Sequence, residues 1–475
     1  MTDLPLQLHI DGEWIDAGDR NTHTVVDPAT GGAIGELPLA RPDDLDRALD
    51  SAARGYPIWR GTSVDERATV LAGAARLMRE RADTIARIAT TEQGKPLAEA
   101  KGEVAYAAAL TDWFAGETRR NHGRVLARPA GQQSIVVHEP VGPAVAFCPW
   151  NFPVLNPVRK IAPALAAGCS LIVKPPEEAP GSALAVLRCF LDAGLPRSVL
   201  NMVFGVPDQV SRHLLASPVI RKMSFTGSVP VGKHLIRLAA DRMIRTTMEL
   251  GGHSPVLVFD DCDLDKTVAL LAAAKFRNAG QVCISPTRFY VQDSIHDRFV
   301  AAFVERAEGL AVGGGLAEGT AMGPLANPRR PDAMAALVAD ARTAGATVAT
   351  GGERGADAGF FFQPTVLADV PLEARAMSEE PFGPLAMVRR FSTFDEAVEQ
   401  ANRLPFGLAA YCFTNDARRQ RLLADAIESG MVGLNTMGLS AVDAPFGGVK
   451  ESGHGSEDGT EGMRAFQVVK TVHAV

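Results

Sequence analysis

The stretch Phe276 to Arg288, FRNAGQVCISPTR, sets one cysteine, Cys283, behind a flexible Gly280-Gln281 and between two cations, Arg277 and Arg288. The nucleophilic form of cysteine is the thiolate, and nearby cations with partial exposure lower the thiol pKa enough to populate it. Cys283 is therefore a candidate nucleophile for covalent chemistry. A buried structural cysteine, packing as a small apolar residue, stays open on this stretch alone. A candidate base lies in Met248-Glu249-Leu250-Gly251-Gly252. Apolar neighbours and glycines around the Glu249 carboxylate predict partial desolvation and a raised pKa, although a structural ion pair would use the same residue type.

These groups need a frame, and the texture of the chain supplies one. Between Ser134 and Glu249, short apolar strands (SIVVHE, AVAFC, SLIVK, LNMVF, KMSF, RTTME) alternate with helical segments around Ile161 to Ala167, Ala183 to Asp192, Gln209 to Ala216 and Val231 to Ala240. Such alternation predicts βαβ units and a parallel sheet covered by helices, with ligands beyond the carboxyl ends of the strands. The residues just after those strands are Trp150 and Asn151, Lys174 to Glu178, Thr226-Gly227-Ser228, and Glu249. Gly227-x-x-x-x-Gly232 at a helix start could bind a pyrophosphate through backbone N–H groups, or could equally be a close-packed turn. The usual G-x-G-x-x-G and G-x-x-x-x-G-K-[ST] fingerprints are missing.

Upstream, Asp11-Gly12 in LHIDGEWID predicts a hairpin. Pro42 to about Arg120 reads as helical, with a Ser63-x-x-Glu66 capping box and a break at Gly94-Lys95-Pro96. These helices show no cluster of polar chemistry, so their expected role is packing. Downstream, strands RFYVQ, ATVAT and AAYCFT and helices Ile295 to Glu308, Asp332 to Ala344 and Arg418 to Ser429 predict a second α/β unit. Gly313-Gly314-Gly315 reads as a flexible loop, and Asn435 is a candidate for the same cavity as Ser440.

Composition narrows the partners. A chain of 475 residues, 46% hydrophobic and 22% charged, suits two or three globular domains. The net charge is −7 and there is no run of Lys and Arg, so neither nucleic acid nor an anionic membrane surface is expected. The start, MTDLPLQLHIDGEW, lacks a basic region followed by an apolar core, and no apolar run approaches the ~20 residues that span a bilayer, which predicts a cytoplasmic protein. The six cysteines lack C-x-x-C spacing and the ten histidines lack H-x-x-x-H pairing, so reduced thiols and no catalytic metal are expected.

Taken together, PWNFP at Pro149, the KP-x-E pattern at Lys174, FTGS at Phe225, ELGG at Glu249, GQVC at Gly280 and EEPFGP at Glu379 resemble the aldehyde dehydrogenase superfamily, in the family's order and over nearly the whole chain. The resemblance implies two doubly wound parallel-sheet α/β domains with a small β oligomerisation arm. The NAD-binding domain would take 1–121 and 142–250, the catalytic domain 251–435, and the arm 122–141 and 455–475. It implies that Cys283 attacks an aldehyde, that Asn151 and the Cys283 N–H stabilise the oxyanion, and that Glu249 activates the water that hydrolyses a thioester. NAD would lie along Trp150, Lys174, Glu177, Gly227, Ser228, Gly232, Glu380 and Phe382. Lys174 and Glu177 would hold the adenosine ribose, where a carboxylate repels a 2′-phosphate and favours NAD over NADP. Glu380 would grip the nicotinamide ribose. For Phe382 alone, ordinary core packing is the better expectation.

Within the superfamily the chain is most similar to succinate-semialdehyde dehydrogenases and relatives acting on α-ketoglutarate semialdehyde. Arg159, Arg277 and Ser440 match positions that bind the far carboxylate of the substrate there, a task suited to planar guanidinium groups. Ion pairs at a surface or between domains are the other use of those arginines. Many relatives carry a second cysteine two residues after the nucleophile; Ser285 stands there, which removes that disulfide switch. The expected partners are a small-molecule aldehyde and the chain itself, as homodimer or homotetramer. A broader aldehyde range, a CoA-acylating relative and a thiol hydrolase are the competing functions. The last lacks a histidine near Cys283 in sequence, and the intact Glu249 favours a free acid over an acyl thioester.

Overall fold

The alternating strands and helices between Ala144 and Leu250 build the first sheet of the computed structural model, which describes residues 5–355 and 358–475. Residues 1–4 of the expected NAD-binding segment and 356–357 of the expected catalytic segment lie outside the described residues. Strands Leu200–Met202, Leu171–Lys174, Ala144–Phe147, Lys222–Gly227 and Arg245–Leu250 lie side by side in that order and pair in parallel. The hairpin Leu8–Ile10 with Glu13–Ile15 extends one edge, and Gly453–His454 the other, both antiparallel. The chain lays its strands outward from Ala144–Phe147, then returns to place Lys222–Gly227 on the opposite side of it. That reversal opens a crevice at the carboxyl ends of those two strands.

Helices Pro42–Gly61, Val64–Glu80, Ala82–Gln93 and Leu97–Thr118 precede the sheet. The capping box forms as expected: the Glu66 N–H donates to Ser63 Oγ while Glu66 accepts from the Ser63 N–H. Gly94, at φ 95°, ends the third helix in the left-handed conformation that glycine adopts without strain. Helix Leu155–Ala167 is buried along its whole length, Arg159 and Lys160 included.

The second sheet runs Thr347–Thr350, Thr365–Ala368, Leu385–Phe391, Pro286–Gln292, Ser254–Val258, Ala409–Phe413, Met431–Leu434. Only its first pair is antiparallel. Each sheet carries its own apolar core. A third sheet joins Gln467–Ala474 to Gln133–Pro140 and Arg124–Leu126, with Val125 and Val469 exposed to solvent. This is the expected α/β fold with two doubly wound sheets and a β arm.

The structure departs from expectation in several places. The tail pairs with the arm only from Gln467; Glu457 and Asp458 are instead buried against helix Leu155–Ala167. Gly313 to Gly315 forms a loop, but Gly315 is packed, since a Cβ there would lie 2.3 Å from the Lys95 carbonyl oxygen and its own carbonyl accepts from the Leu97 N–H at 2.9 Å. Asn435 does not line the cavity; its side chain bonds both backbone groups of Thr414. Among the described residues no helix is long and apolar enough to cross a membrane.

Candidate active site

A cavity of about 630 Å³ lies between the carboxyl ends of the first sheet and the amino ends of the second. From the first sheet come Trp150 and Asn151 after Phe147, Thr226 to Ser228 at the end of Lys222–Gly227, and Glu249 at the end of Arg245–Leu250. From the second come Cys283 before Pro286–Gln292, Glu380 and Phe382 before Leu385–Phe391, and Leu408 before Ala409–Phe413. Arg159, Arg277 and Ser440 complete the wall. Cys283 and Glu249 are thus brought into one chamber from opposite sheets.

The cysteine loop is rigid rather than flexible. Asn278, Ala279 and Gly280 take φ of 49°, 51° and 72° in succession, a left-handed run that two of them adopt only because the surroundings fix it. The Asn278 N–H donates to Glu99 at 2.8 Å, and its side-chain amide donates to the Asn151 carbonyl at 2.9 Å and accepts from Gln93 at 2.8 Å. Gln281 is fully buried and accepts from the Ala326 N–H at 2.9 Å. A Cβ on Gly280 would lie 2.1 Å from the Gly383 carbonyl oxygen, so glycine is required by contact as well as by φ. Beyond the cysteine, Tyr411 donates its hydroxyl to the Ile284 carbonyl at 2.6 Å.

Arg288 is not one of the cations beside the thiol. Its guanidinium is spent on the His253, Gln400 and Ala401 carbonyls inside the second domain, a direction set by the alternation of side chains along its strand. The charges that act on Cys283 are Arg159 and Arg277, which lower its pKa, and Glu380 and Glu249, which raise it. Burial outweighs them all and pushes the thiol up to about 12, against the lowering by flanking cations expected from sequence. Ser285, behind it, accepts a hydrogen bond from the buried Lys275 at 3.1 Å.

Glu249 meets its expectation of desolvation. Both its carboxylate oxygens are buried and have no hydrogen-bond partner among the described residues. Burial, then the nearby Glu457, hold its pKa well above the usual carboxylate range, against Lys160 and Arg159. A carboxylate with free lone pairs and a raised pKa can take a proton from water. Asn151, also buried, donates from Nδ2 to the Gln281 carbonyl at 3.1 Å while its Oδ1 accepts from Asn156 at 3.1 Å, which fixes the amide and leaves its second N–H. The Cys283 N–H has no acceptor among the described residues.

Sequence reasoning missed the polar layer beneath these groups. The helices taken as packing bring Lys95 and Glu103: Lys95 Nζ lies 2.6 Å from Glu103 and 2.8 Å from the Asn151 carbonyl, and Glu103 accepts from the Val154 and Leu155 N–H groups. Adjacent cations meet adjacent anions at the other wall, Arg159 with Asp458 and Lys160 with Glu457. Arg159 Nε and Nη2 reach the two Asp458 oxygens at 3.2 and 2.8 Å, so one edge of the guanidinium expected to be free for a substrate carboxylate is paired, and Nη1 keeps no partner among the described residues. Arg277 is exposed and makes no ion pair among the described residues, with its guanidinium 5.6 Å from the centre of the Phe152 ring. Two consecutive cations inside the otherwise apolar LNPVRKIAPALAA were the available signal for buried partners.

A second cavity, about 1010 Å³, shares Pro149, Trp150, Thr226, Gly227 and Ser228 with the first and continues past Lys174, Glu177, Gly205, Val231 and Leu235. Glu177 accepts from Lys174 at 2.6 Å and from the Gly205 N–H at 3.0 Å, which orients its carboxylate. Helix Val229–Ala240 begins here without a side-chain cap on its first N–H groups. An oriented carboxylate, an uncapped helix start and apolar walls fit a dinucleotide's ribose, pyrophosphate and adenine respectively. Gly232 acts by packing, because a Cβ there would lie 2.5 Å from Leu250 Cδ2. Glu380 accepts from the Gly252 N–H at 3.2 Å, and burial raises its pKa to about 7. Phe382, at φ 44°, sets its ring edge-on to Trp150 with centroids 5.4 Å apart at the wall of the first cavity, a role beyond the core packing expected of it.

The family model described as "Aldehyde dehydrogenase family" matches residues 14–472. The chain is 47% identical to a putative 4-(hydroxymethyl)benzenesulfonate dehydrogenase of Comamonas testosteroni, over 99% of this chain and 98% of that one. It is 43% identical to an NADP-dependent succinate-semialdehyde dehydrogenase of Escherichia coli K12, covering 98% and 96%. Its fold matches the crystal structure of succinate-semialdehyde dehydrogenase from Burkholderia pseudomallei with a TM-score of 0.98, at 43% identity and 100% coverage of both chains.

Proposed function

The chain belongs to the aldehyde dehydrogenase family, and on that premise we propose that it oxidises an aldehyde bearing an anionic group at its far end, with NAD as acceptor and succinate semialdehyde as the leading substrate. The observation that carries this reading is Arg277, an exposed cation without an ion-pair partner among the described residues, on the wall of the chamber that holds Cys283. An unpaired guanidinium in a largely apolar cavity calls for an anion, and Ser440 on the same wall can donate to it. The relatives named for a sulfonate and for succinate semialdehyde share such an anion.

Cys283 Sγ gives up its proton to water and attacks the aldehyde carbon, and the oxyanion is met by the Asn151 amide and the Cys283 N–H. Bound NAD supplies the acceptor for the hydride that leaves this adduct. A thioester on Cys283 then remains. Glu249 takes a proton from water, which adds to the thioester carbon and releases the carboxylic acid and the thiol. Glu177 and Lys174 orient the adenosine ribose and Glu380 the nicotinamide ribose. A 2′-phosphate would face the Glu177 carboxylate, which supports NAD over the NADP of the Escherichia coli relative. The exposed valines of the arm suit a second copy of the chain, as a homodimer or homotetramer.

The test is a steady-state screen of aldehydes with each cofactor. Succinate semialdehyde with NAD is expected to give the highest kcat/KM. Equal kcat/KM for butanal would overturn the anionic substrate, and equal use of NADP would overturn the role of Glu177.

A further inference from the structure

Three arginines line the cavity: Arg330 donates to the Pro381 and Phe382 carbonyls, Arg159 is paired with a buried carboxylate, and Arg277 makes no ion pair among the described residues. Arg159 is closed onto Asp458 through two hydrogen bonds, and Asp458 takes a third from the Tyr106 hydroxyl at 3.1 Å. Asp458 is wholly buried and the Arg159 side chain is 7% exposed. The guanidinium carbon also lies 4.2 Å from the centre of the Phe446 ring and 5.9 Å from that of Tyr106, so packing as well as charge fixes its orientation. Asp458 itself sits at φ 55°, ψ −177°, a conformation that side-chain-bearing residues rarely adopt and glycine adopts freely. A carboxylate is therefore held in a backbone position suited to glycine, and its side chain is used on a cavity-lining cation. Arg277 and Ser440, by contrast, stand exposed on the same wall.

We propose that Asp458 is a specificity-determining residue: by pairing with Arg159 it neutralises that cation toward the substrate, so that the exposed Arg277 anchors the anionic tail. The proposal rests on the anionic-substrate reading above. Asp458 acts through Arg159 and touches no reacting atom, so it positions and neutralises rather than catalyses. Its removal would return the charge of Arg159 to the cavity.

The experiment compares kcat/KM for succinate semialdehyde with that for butanal, a neutral aldehyde of the same length. It uses the wild type, Asp458→Asn, Arg277→Gln and the double variant, each with NAD. The acid-to-neutral ratio is expected to fall at least tenfold in Arg277→Gln and to rise at least fivefold in Asp458→Asn, mainly through KM. In the double variant, the freed Arg159 should restore the ratio to near the wild-type value. Asp458→Gly, which suits the backbone conformation, should repeat the result and guards against a folding failure of the asparagine variant. A ratio unchanged within twofold in both Asp458 variants, or no recovery in the double variant, overturns the proposal. A merely structural role would lower both substrates together and leave the ratio alone. A wild type without acid preference would instead sink the substrate reading on which the proposal stands.

Discussion

The Lys95 ammonium lies 2.6 Å from the Glu103 carboxylate with both side chains 1% exposed, and the same ammonium donates to the carbonyl of Asn151. A buried ion pair therefore carries the residue assigned to the oxyanion. Breaking it by Lys95→Met leaves Glu103 buried without its cation, which is expected to cost about 3 to 5 kcal/mol of stability. Chemical denaturation measures this. If Lys95→Met with Glu103→Gln recovers no stability over the single variant, the pair is not what holds the segment.

Cys283→Ala should abolish NADH formation while NAD still binds, because Lys174, Glu177 and Gly205 line the neighbouring cavity and not the one that holds the sulfur. Calorimetric titration of NAD reads the binding. Substantial turnover in this variant would remove Cys283 from the mechanism.

Glu249 must be ionised to act as a base, and its pKa is held well above the usual range by burial and then by Glu457. Thioester hydrolysis should accordingly rise with pH through that raised value, and Glu457→Gln should move the rise to lower pH. Glu249→Gln should give a burst of NADH that stalls. The sign for stability is opposite to that for activity: a carboxyl whose folded pKa exceeds its unfolded one binds its proton more tightly when folded, so stability is lost as pH rises toward the folded value. Glu249→Gln should therefore raise Tm more at pH ~8 than at pH ~5. A pH–rate profile that does not move in Glu457→Gln would contradict this account.

Glu177→Ala should narrow the preference for NAD over NADP, since the carboxylate that would face a 2′-phosphate is gone. One carboxylate is worth no more than a few kcal/mol, so the narrowing should stay under about a hundredfold. Unchanged cofactor ratios would place the discrimination elsewhere.

The fold was legible because strands such as AVAFC and SLIVK are short, apolar and regularly interrupted by helices, a pattern that few architectures satisfy. The residues assigned to the reaction stood out because each sits in a distinctive local stretch. What escaped was pairing over distance. Arg288 and Arg277 look alike in sequence as flanking cations, yet the strand from Pro286 turns Arg288 into the second domain while Arg277 stays at the cavity. Arg159 looks like a free clamp until a residue 299 positions away closes on it. Lys95 read as part of a helix break, because the break is local and its partner Glu103 is met only when the next helix turns back beneath Asn151. Periodicity reports which face is buried, not which buried charge faces which.

The meeting of Arg159-Lys160 with Glu457-Asp458 also bears on the order in which the molecule comes into being. Helix Leu155–Ala167 is made early, and the anions that neutralise it are made 297 residues later for Lys160. A nascent chain on the ribosome would already contain the cysteine stretch and the five parallel strands of the first sheet while two cations still lack their partners. The wall around Cys283 is thus completed by residues of the last part of the chain, Ser440, Phe446 and Glu457.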